Sequence, residues 1–214
     1  MKQIVSLTLV MGLILMTTLV YFEPEITKAV EDEITVSQNV TSEISISSPS
    51  DVTMSPAIAG MTGGTGDGSA TWTVITSDTS GFSMSLKAST DPALKAGSYT
   101  FADYTAVGGT TPDYTWTVAA ADSEFGYSVE PATTADTATI FKDDGADCNA
   151  GSLNTADKCW LDFTTSNVQV INRSSETSSS GEAEVVKFKA QSGSSHFQEE
   201  GTYTATVTAT AVTN

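Results

Sequence analysis

Basic residues and histidine are scarce in this chain. Nine Lys and Arg side chains stand against 26 Asp and Glu, which gives a formal net charge of -17. A surface this acidic repels phosphate backbones and anionic lipid headgroups, so nucleic acids and membrane surfaces are excluded as partners of the folded part. The one histidine, His196, lies among Ser194, Ser195 and Glu199, but no oxyanion hole or nucleophile elbow accompanies it. We therefore predict a protein that is not an enzyme.

Charge is absent from the long run Ile4–Phe22 near the N-terminus. Lys2 precedes this run, and a polar stretch that ends in Thr27-Lys28-Ala29 follows it, which fits a signal peptide cleaved after Ala29. A run of this length also spans a bilayer, so a retained membrane anchor is one alternative and a buried helix of the fold is another. Both export interpretations predict that residues 30–214 form an extracytoplasmic domain, secreted or displayed at the cell surface, that meets a membrane only through the N-terminal segment.

Cysteine is scarce as well, because the chain contains only Cys148 and Cys159. In an exported chain, two cysteines separated by a short segment are most simply a disulfide, and closing a loop of this size contributes roughly 3 kcal/mol. A zinc site needs more Cys or His ligands than this sequence holds. We predict a structural disulfide between the two residues.

Helical periodicity is missing from residues 30–214, apart from one turn predicted to begin at Asp91-Pro92 and to close at Gly97. Apolar residues instead alternate with Ser, Thr and charged residues, and this period of two predicts strands with one buried and one exposed face. The clearest alternation spans 34–46, 82–88, 186–190 and 203–211, with shorter candidates at 72–75, 116–118, 137–141 and 167–171.

These segments predict an all-β fold, an antiparallel two-sheet β-sandwich of the immunoglobulin-like or jelly-roll-like kind with eight or nine strands. An N-terminal hydrophobic export helix would precede it. The Gly-rich segment Gly60–Gly68 lacks the Lys-Ser/Thr ending of a phosphate-binding loop, so we predict a flexible loop there. Trp72 and Trp116, each within a Thr-Trp-Thr-Val sequence, are predicted to lie in the core.

Acidic residues cluster near the cysteines, at Asp143, Asp144, Asp147 and Asp157. Calcium binds six to eight oxygen ligands, and a loop held by a disulfide offers several. The spacing does not follow the EF-hand order, and the alternative is a solvated acidic loop. Weak calcium binding at these four residues is therefore an expectation; no other cofactor is predicted.

Three stretches of sequence resemble bacterial cell-surface proteins with WxL-type domains: the first strand EITVSQNVTSEISIS, the block GFSMSLKAS and the terminal GTYTATVTATAV. The chain also looks like uncharacterised exported β-sandwich proteins of small-genome, uncultivated bacteria. Where the family carries Trp-x-Leu, this chain has Phe82-Ser83-Met84 and the segment 208–212, neither of which contains Trp. The resemblance implies a β-sandwich at the cell surface, and the family attaches to peptidoglycan without a covalent bond.

Two functions follow as expectations. The first is a module that binds cell-wall polysaccharide or another glycan, with Trp160, Tyr99, Tyr104 and Tyr114 as stacking platforms for sugar rings. The second is a structural subunit of a surface layer or pilus, in which the strand 33–47 completes the sheet of a neighbouring surface protein or of another copy. Pairing of that strand within its own domain is the alternative to the second function.

Overall fold

The computed structural model describes residues 31–107 and 111–214, and the predicted export segment 1–29 lies outside the described residues. Across those described ranges, helices of the length and apolarity that a bilayer crossing requires are absent. Residues 41–214 form one compact unit, of which residues 31–40 are not part. The protein is all-β with several sheets, as the alternating sequence pattern predicts.

The strands are short to medium in length, and two single turns of 3-10 helix lie between them. The strands are β1 Ile44–Ile46, β2 Gly64–Thr76, β3 Phe82–Ala88, β4 Lys95–Ala96, β5 Tyr99–Thr100, β6 Ala102–Asp103, β7 Ser123–Val129, β8 Val168–Arg173, β9 Glu182–Ser192 and β10 Val207–Thr213, and the 3-10 turns are Thr134–Asp136 and Thr139–Phe141.

Two main sheets carry most of these strands. The larger sheet has the order β1-β2-β9-β7-β6, the smaller sheet has the order β10-β3-β8, and β4 pairs separately with β5. All strand pairs are antiparallel except β6 with β7. Side chains from both main sheets form one apolar core, an arrangement consistent with a β-sandwich.

The strands that the sequence predicts best are those in which apolar and polar residues alternate strictly. In β3 the buried residues Phe82, Met84 and Leu86 alternate with residues that are only half-buried. In β9 the buried residues Val186, Phe188 and Ala190 face the same core, with Lys187 and Lys189 between them. Burying a side chain of this kind contributes about 1.5–3 kcal/mol, so these residues determine which face of each strand turns inward.

In strand β7, buried and exposed residues do not alternate, because every one of its residues is buried. Gly126, at its centre, leaves room for the segments that cover its outer face. A Cβ at this position would lie 2.7 Å from the backbone oxygen of Leu161 and 2.8 Å from the Cβ of Tyr104. In sequence, Phe125, Tyr127 and Val129 alternate with Glu124, Gly126 and Ser128, so what the sequence pattern does not reveal is that the polar face of this strand is covered as well.

Two predictions about strand extent are wrong. The strand expected from residue 34 begins only at Ile44, and residues 31–43 contain no strand or helix. The loop expected at Gly60–Gly68 is half strand, because β2 begins at Gly64 and pairs with β9 from its first residue.

Three smaller predictions also fail. The segment 116–118 forms no strand, and Thr139–Phe141 is a 3-10 turn rather than part of a strand. The expected helical turn after Asp91-Pro92 is a series of bends. Each of these segments lies in a long connection, where packing against the sheets overrides local propensity.

Candidate functional site

A polar row crosses the outer face of the larger sheet. The alternation that buries Val186 and Phe188 turns Lys187 and Lys189 to the opposite side of β9. In the antiparallel register with β2, Asp67 lies opposite Lys189 and Ser69 opposite Lys187. The Lys189 ammonium lies 3.4 Å from the Asp67 carboxylate.

This row forms the floor of a cleft, and the end of the disulfide loop, with Asp157 and the following Trp160, forms its wall. The cleft has a volume of about 370 Å³ and is lined by Asp67, Gly68, Ser69, Asp157, Trp160, Lys187, Phe188 and Lys189. The predicted disulfide is confirmed: Cys148 and Cys159 are bonded, with their Cα atoms 5.6 Å apart. Because Cys159 directly precedes Trp160, the bridge restrains this wall of the cleft.

Lysines line the cleft although the protein as a whole is acidic. Lys2 and Lys28 lie outside the described residues, and two of the other seven basic residues, Lys187 and Lys189, line the cleft together with Asp67 and Asp157. The Lys187 ammonium is 3.6 Å from the Glu130 carboxylate, and Lys158 lies over a tyrosine ring. Positive and negative groups therefore alternate across the site, which offers hydrogen-bond donors and acceptors side by side.

An aromatic cluster packs beside the row. The ring of Trp116 stacks on Tyr104 with centroids 4.2 Å apart, and it meets Trp160 edge-on at 5.2 Å. The Trp116 indole nitrogen donates a hydrogen bond of 2.7 Å to the side-chain oxygen of Gln191 on β9. Gly126, opposite Lys189 in β7, leaves the space that this cluster fills.

Burial corrects the prediction that Trp160 and Tyr104 are stacking platforms. They are only 1% and 4% exposed, and the Lys189 ammonium lies 4.5 Å from the centre of the Trp160 ring. A ring whose faces are covered by protein presents none to a sugar. The rings of Tyr104 and Trp160 therefore support the structure of the site and do not present a face to a ligand.

The other two predicted platforms lie apart from the cleft lining. Tyr114 is half-buried, with the Lys158 ammonium 4.4 Å from the centre of its ring. Tyr99, on β5, is 47% exposed. The structure thus brings together Tyr104 and Trp160, through Trp116, and does not bring Tyr99 or Tyr114 into the cleft lining.

Asp113 holds the aromatic cluster in place from behind. The Tyr104 hydroxyl donates to an Asp113 carboxylate oxygen at 3.0 Å, and the backbone N–H of Val107 donates to the same oxygen at 2.9 Å. Burial, together with this carboxylate, raises the pKa of Tyr104, which keeps its proton for the hydrogen bond.

Two of the four residues of the predicted calcium site, Asp143 and Asp144, accept hydrogen bonds within their own loop. Asp143 is fully buried, and its two carboxylate oxygens accept hydrogen bonds from the Gly145 N–H and from the backbone and hydroxyl of Thr155. Asp144 accepts from two backbone N–H groups that follow it, and this bonding lowers the pKa of the Asp144 carboxyl.

Asp147 and Asp157, the other two residues of the expected calcium site, are exposed. Among residues 31–107 and 111–214, no three His, Cys, Asp or Glu side chains group closely enough to hold a metal ion. Asp157 instead lines the cleft, and its backbone N–H donates to Glu130 at 2.8 Å.

Another buried acidic residue, Glu184, lies on the other side of β9. Both carboxylate oxygens of Glu184 are buried without a hydrogen-bond partner among the described residues. Burial, and then the charges of Asp136 and Glu182, raise its pKa to about 8, while Arg173 acts in the opposite direction. Glu184 faces the core and is not among the residues that line the cleft.

His196 is also outside the cleft lining. Its Nδ1 lies 2.9 Å from the backbone oxygen of Ala121, in the turn region after β9. This contact ties the turn to the segment before β7.

Sequence reasoning missed the residues that form the floor of the cleft. The alternation in β9 already indicates that Lys187 and Lys189 share one outward face. The partner strand was not predictable, because its Gly-rich half, which contains Asp67, has the composition of a loop.

No family model matches the chain, and comparisons with curated proteins and with solved structures found no match. The chemistry of the site is therefore the basis for proposing a function.

Proposed function

We propose that the protein is a non-catalytic, extracytoplasmic β-sandwich protein of the cell surface, and that the cleft binds a cell-wall or other extracellular glycan. The observation that carries the proposal is the concentration of Lys187, Lys189, Asp67 and Ser69 in a cleft of about 370 Å³ in a strongly acidic protein. A site of this size accommodates a small ligand or one part of a longer one.

The donor and acceptor pattern suits sugar hydroxyls. A hydroxyl both donates and accepts hydrogen bonds, so it pairs with a carboxylate, an ammonium or another hydroxyl. Asp67 and Asp157 supply acceptors, Lys187 and Lys189 supply donors, and Ser69 supplies both. Because the opposite charges already pair with one another, the site favours a neutral polyol over a strongly charged ligand.

The disulfide and the predicted export segment support an extracytoplasmic location, since structural disulfides persist mainly in oxidising compartments. The resemblance to WxL-type surface proteins supports the choice of cell wall as partner.

Calorimetric titration of the full chain with the soluble N-acetylglucosamine tetrasaccharide tests the proposal. The variant Asp67→Asn/Lys189→Ala replaces one acceptor oxygen by an N–H donor and removes the lysine donor, so that neither charge remains unpaired. We expect its Kd to rise at least about tenfold, equivalent to about 1.4 kcal/mol.

Lys87→Ala is the matched control, because Lys87 lies on β3 in the smaller sheet and is absent from the cleft lining. The control should bind as the wild type does. Equal Kd values for wild type and the double variant would overturn the assignment of the cleft, and absence of binding by the wild type would overturn the choice of this glycan class.

A further inference from the structure

Residues 34–42 form an exposed segment with the sequence character of a strand but without a strand partner among the described residues. Ile34, Val36 and Val40 share one parity and are 84%, 85% and 86% exposed. The segment lies between Glu33 and Glu43 and carries no charge of its own. Alternating β-branched residues of this kind are usually buried on one face of a sheet. We name residues 34–42 the donor segment.

Strand β10 presents an unpaired edge. It is the terminal strand of the smaller sheet, and along Val207–Thr213 the backbone of the described residues hydrogen-bonds only with β3. The N–H and C=O groups of alternate residues, those that point away from β3, are therefore available on the outer side, which we name the acceptor edge. Such an edge is a template for pairing with another strand.

Other long edges of the two main sheets are covered. On the far side of the smaller sheet, the Ala138 N–H donates to the Val170 oxygen of β8 at 2.9 Å. On the larger sheet, β1 and a bridge between Ser55 and Asp67 cover β2. At the acceptor edge β1 lies near β10, but no backbone hydrogen bond joins the two strands among the described residues, so this edge keeps unpaired backbone groups.

The acceptor edge also lacks the usual protection against pairing. Natural edge strands carry charges, prolines or bulges, whereas residues 201–214 contain no charged residue and no proline. In a chain with a net charge of -17, the donor segment and the acceptor edge are uncharged stretches, so like-charge repulsion between copies is smallest where these two meet.

The core is incomplete beside this edge. Val207, Ala209 and Ala211 face inward but are only half-buried at the margin of the core. A neighbouring strand with larger apolar residues at every second position would cover them, and the donor segment has this pattern.

We propose that the donor segment of one copy adds as a strand to the acceptor edge of a second copy. Each copy then carries one donor and one acceptor, so the contact is head-to-tail and continues into a ring or a filament. If the chain is cleaved after Ala29 as predicted, the donor segment lies close to a free N-terminus. This surface is distinct from the cleft and does not depend on the glycan proposal.

Sedimentation velocity of the full chain, as its host processes it, measures the assembly over a range of concentrations. We expect the wild type to form species larger than dimers. The donor variant Val36→Asp/Val40→Asp and the acceptor variant Thr210→Lys should each remain monomeric, because a charge then faces an uncharged partner. The exposed substitutions Met61→Asp/Phe197→Asp and Ser179→Lys are the matched controls and should assemble as the wild type does.

Mixing the two defective variants provides the decisive result. The Thr210→Lys copy keeps an intact donor segment and the Val36→Asp/Val40→Asp copy keeps an intact acceptor edge, so the mixture should form heterodimers and nothing larger. A monomeric wild type, or variants that assemble as the wild type does, would overturn the proposal. A mixture that stays monomeric or grows beyond dimers would overturn it as well. The donor substitutions lie outside any strand or helix, so loss of folding does not explain their effect.

Discussion

At the residue scale, Glu184 has the most unfavourable environment of the described carboxyls for holding a charge. It faces the core from β9, both of its oxygens lack hydrogen-bond partners among the described residues, and burial raises its pKa to about 8. In the unfolded chain the same group ionises near its ordinary value of 4.5. The folded protein therefore holds this proton more tightly than the unfolded chain does.

This difference predicts how stability depends on pH. Between about pH 4.5 and about pH 8 the unfolded chain has lost the proton and the folded protein keeps it, so the free energy of unfolding falls as the pH rises. Glu184→Gln removes that dependence and should raise the free energy of unfolding at pH 7 by roughly 3 kcal/mol. Urea unfolding at pH 5 and pH 7 measures this change. The exposed Glu176→Gln is the control, and an unchanged pH slope in Glu184→Gln would contradict the account.

Asp143 is a second residue whose role the structure defines. Its buried carboxylate accepts three hydrogen bonds that organise the loop before the disulfide. Asp143→Ala leaves the Gly145 and Thr155 donors without this acceptor, and we expect a loss of roughly 2–4 kcal/mol in the free energy of unfolding. Thermal unfolding compared with the exposed Asp147→Ala measures the loss. If both variants melt with the wild type, Asp143 does not have this role.

At the element scale, sequence pattern predicts a strand where one face is buried and the other is not. The extent of β3 was predictable because Phe82, Met84 and Leu86 alternate with polar residues over its whole length. In β7, Phe125, Tyr127 and Val129 also alternate with polar residues or Gly, but burial of the outer face was not predictable, because distant segments that contain Trp116 and Leu161 cover it. The donor segment has strand character without a partner in the described structure, so its pattern alone did not predict its conformation.

Some features of the cleft were predictable from the sequence and others were not. The outward position of Lys187 and Lys189 was predictable from the alternation of β9, and the disulfide was predictable from the cysteines. Burial of Trp160 and Tyr104 was not predictable, because it depends on how the loops pack onto β7 and β9.

Gly126 tests the packing of these loops against β7. A methyl group at this position would meet the Leu161 backbone oxygen at 2.7 Å and the Trp116 ring at 3.1 Å. We expect Gly126→Ala to lower the free energy of unfolding by roughly 1–3 kcal/mol and to alter tryptophan fluorescence, because the aromatic cluster must move. Denaturant unfolding followed by fluorescence measures both effects.

Gly201→Ala is the control for this substitution, since the nearest atom to its new methyl group would be the Ala96 Cβ at 3.2 Å. A Gly126→Ala variant as stable as this control, with an unchanged emission spectrum, would show that the aromatic cluster does not pack on β7 as described.

At the scale of the whole molecule, the net charge of -17 opposes folding through repulsion among the acidic residues. Screening weakens this repulsion, and the Debye length is about 8 Å at 0.15 M ionic strength. We expect the melting temperature to rise as sodium chloride is added from low to physiological ionic strength. Differential scanning calorimetry measures the rise, and a fall in melting temperature over this range would mean that attractive ion pairs such as Lys189–Asp67 outweigh the repulsion.

The most direct test of the binding proposal is co-sedimentation of the oxidised protein with purified peptidoglycan, with matched tubes that contain no peptidoglycan. We predict that the wild type pellets with the peptidoglycan, at a concentration where it stays in solution alone, and that Asp67→Asn/Lys189→Ala remains in the supernatant in both tubes. A wild type that stays in solution beside peptidoglycan, or a double variant that pellets as the wild type does, would contradict the account.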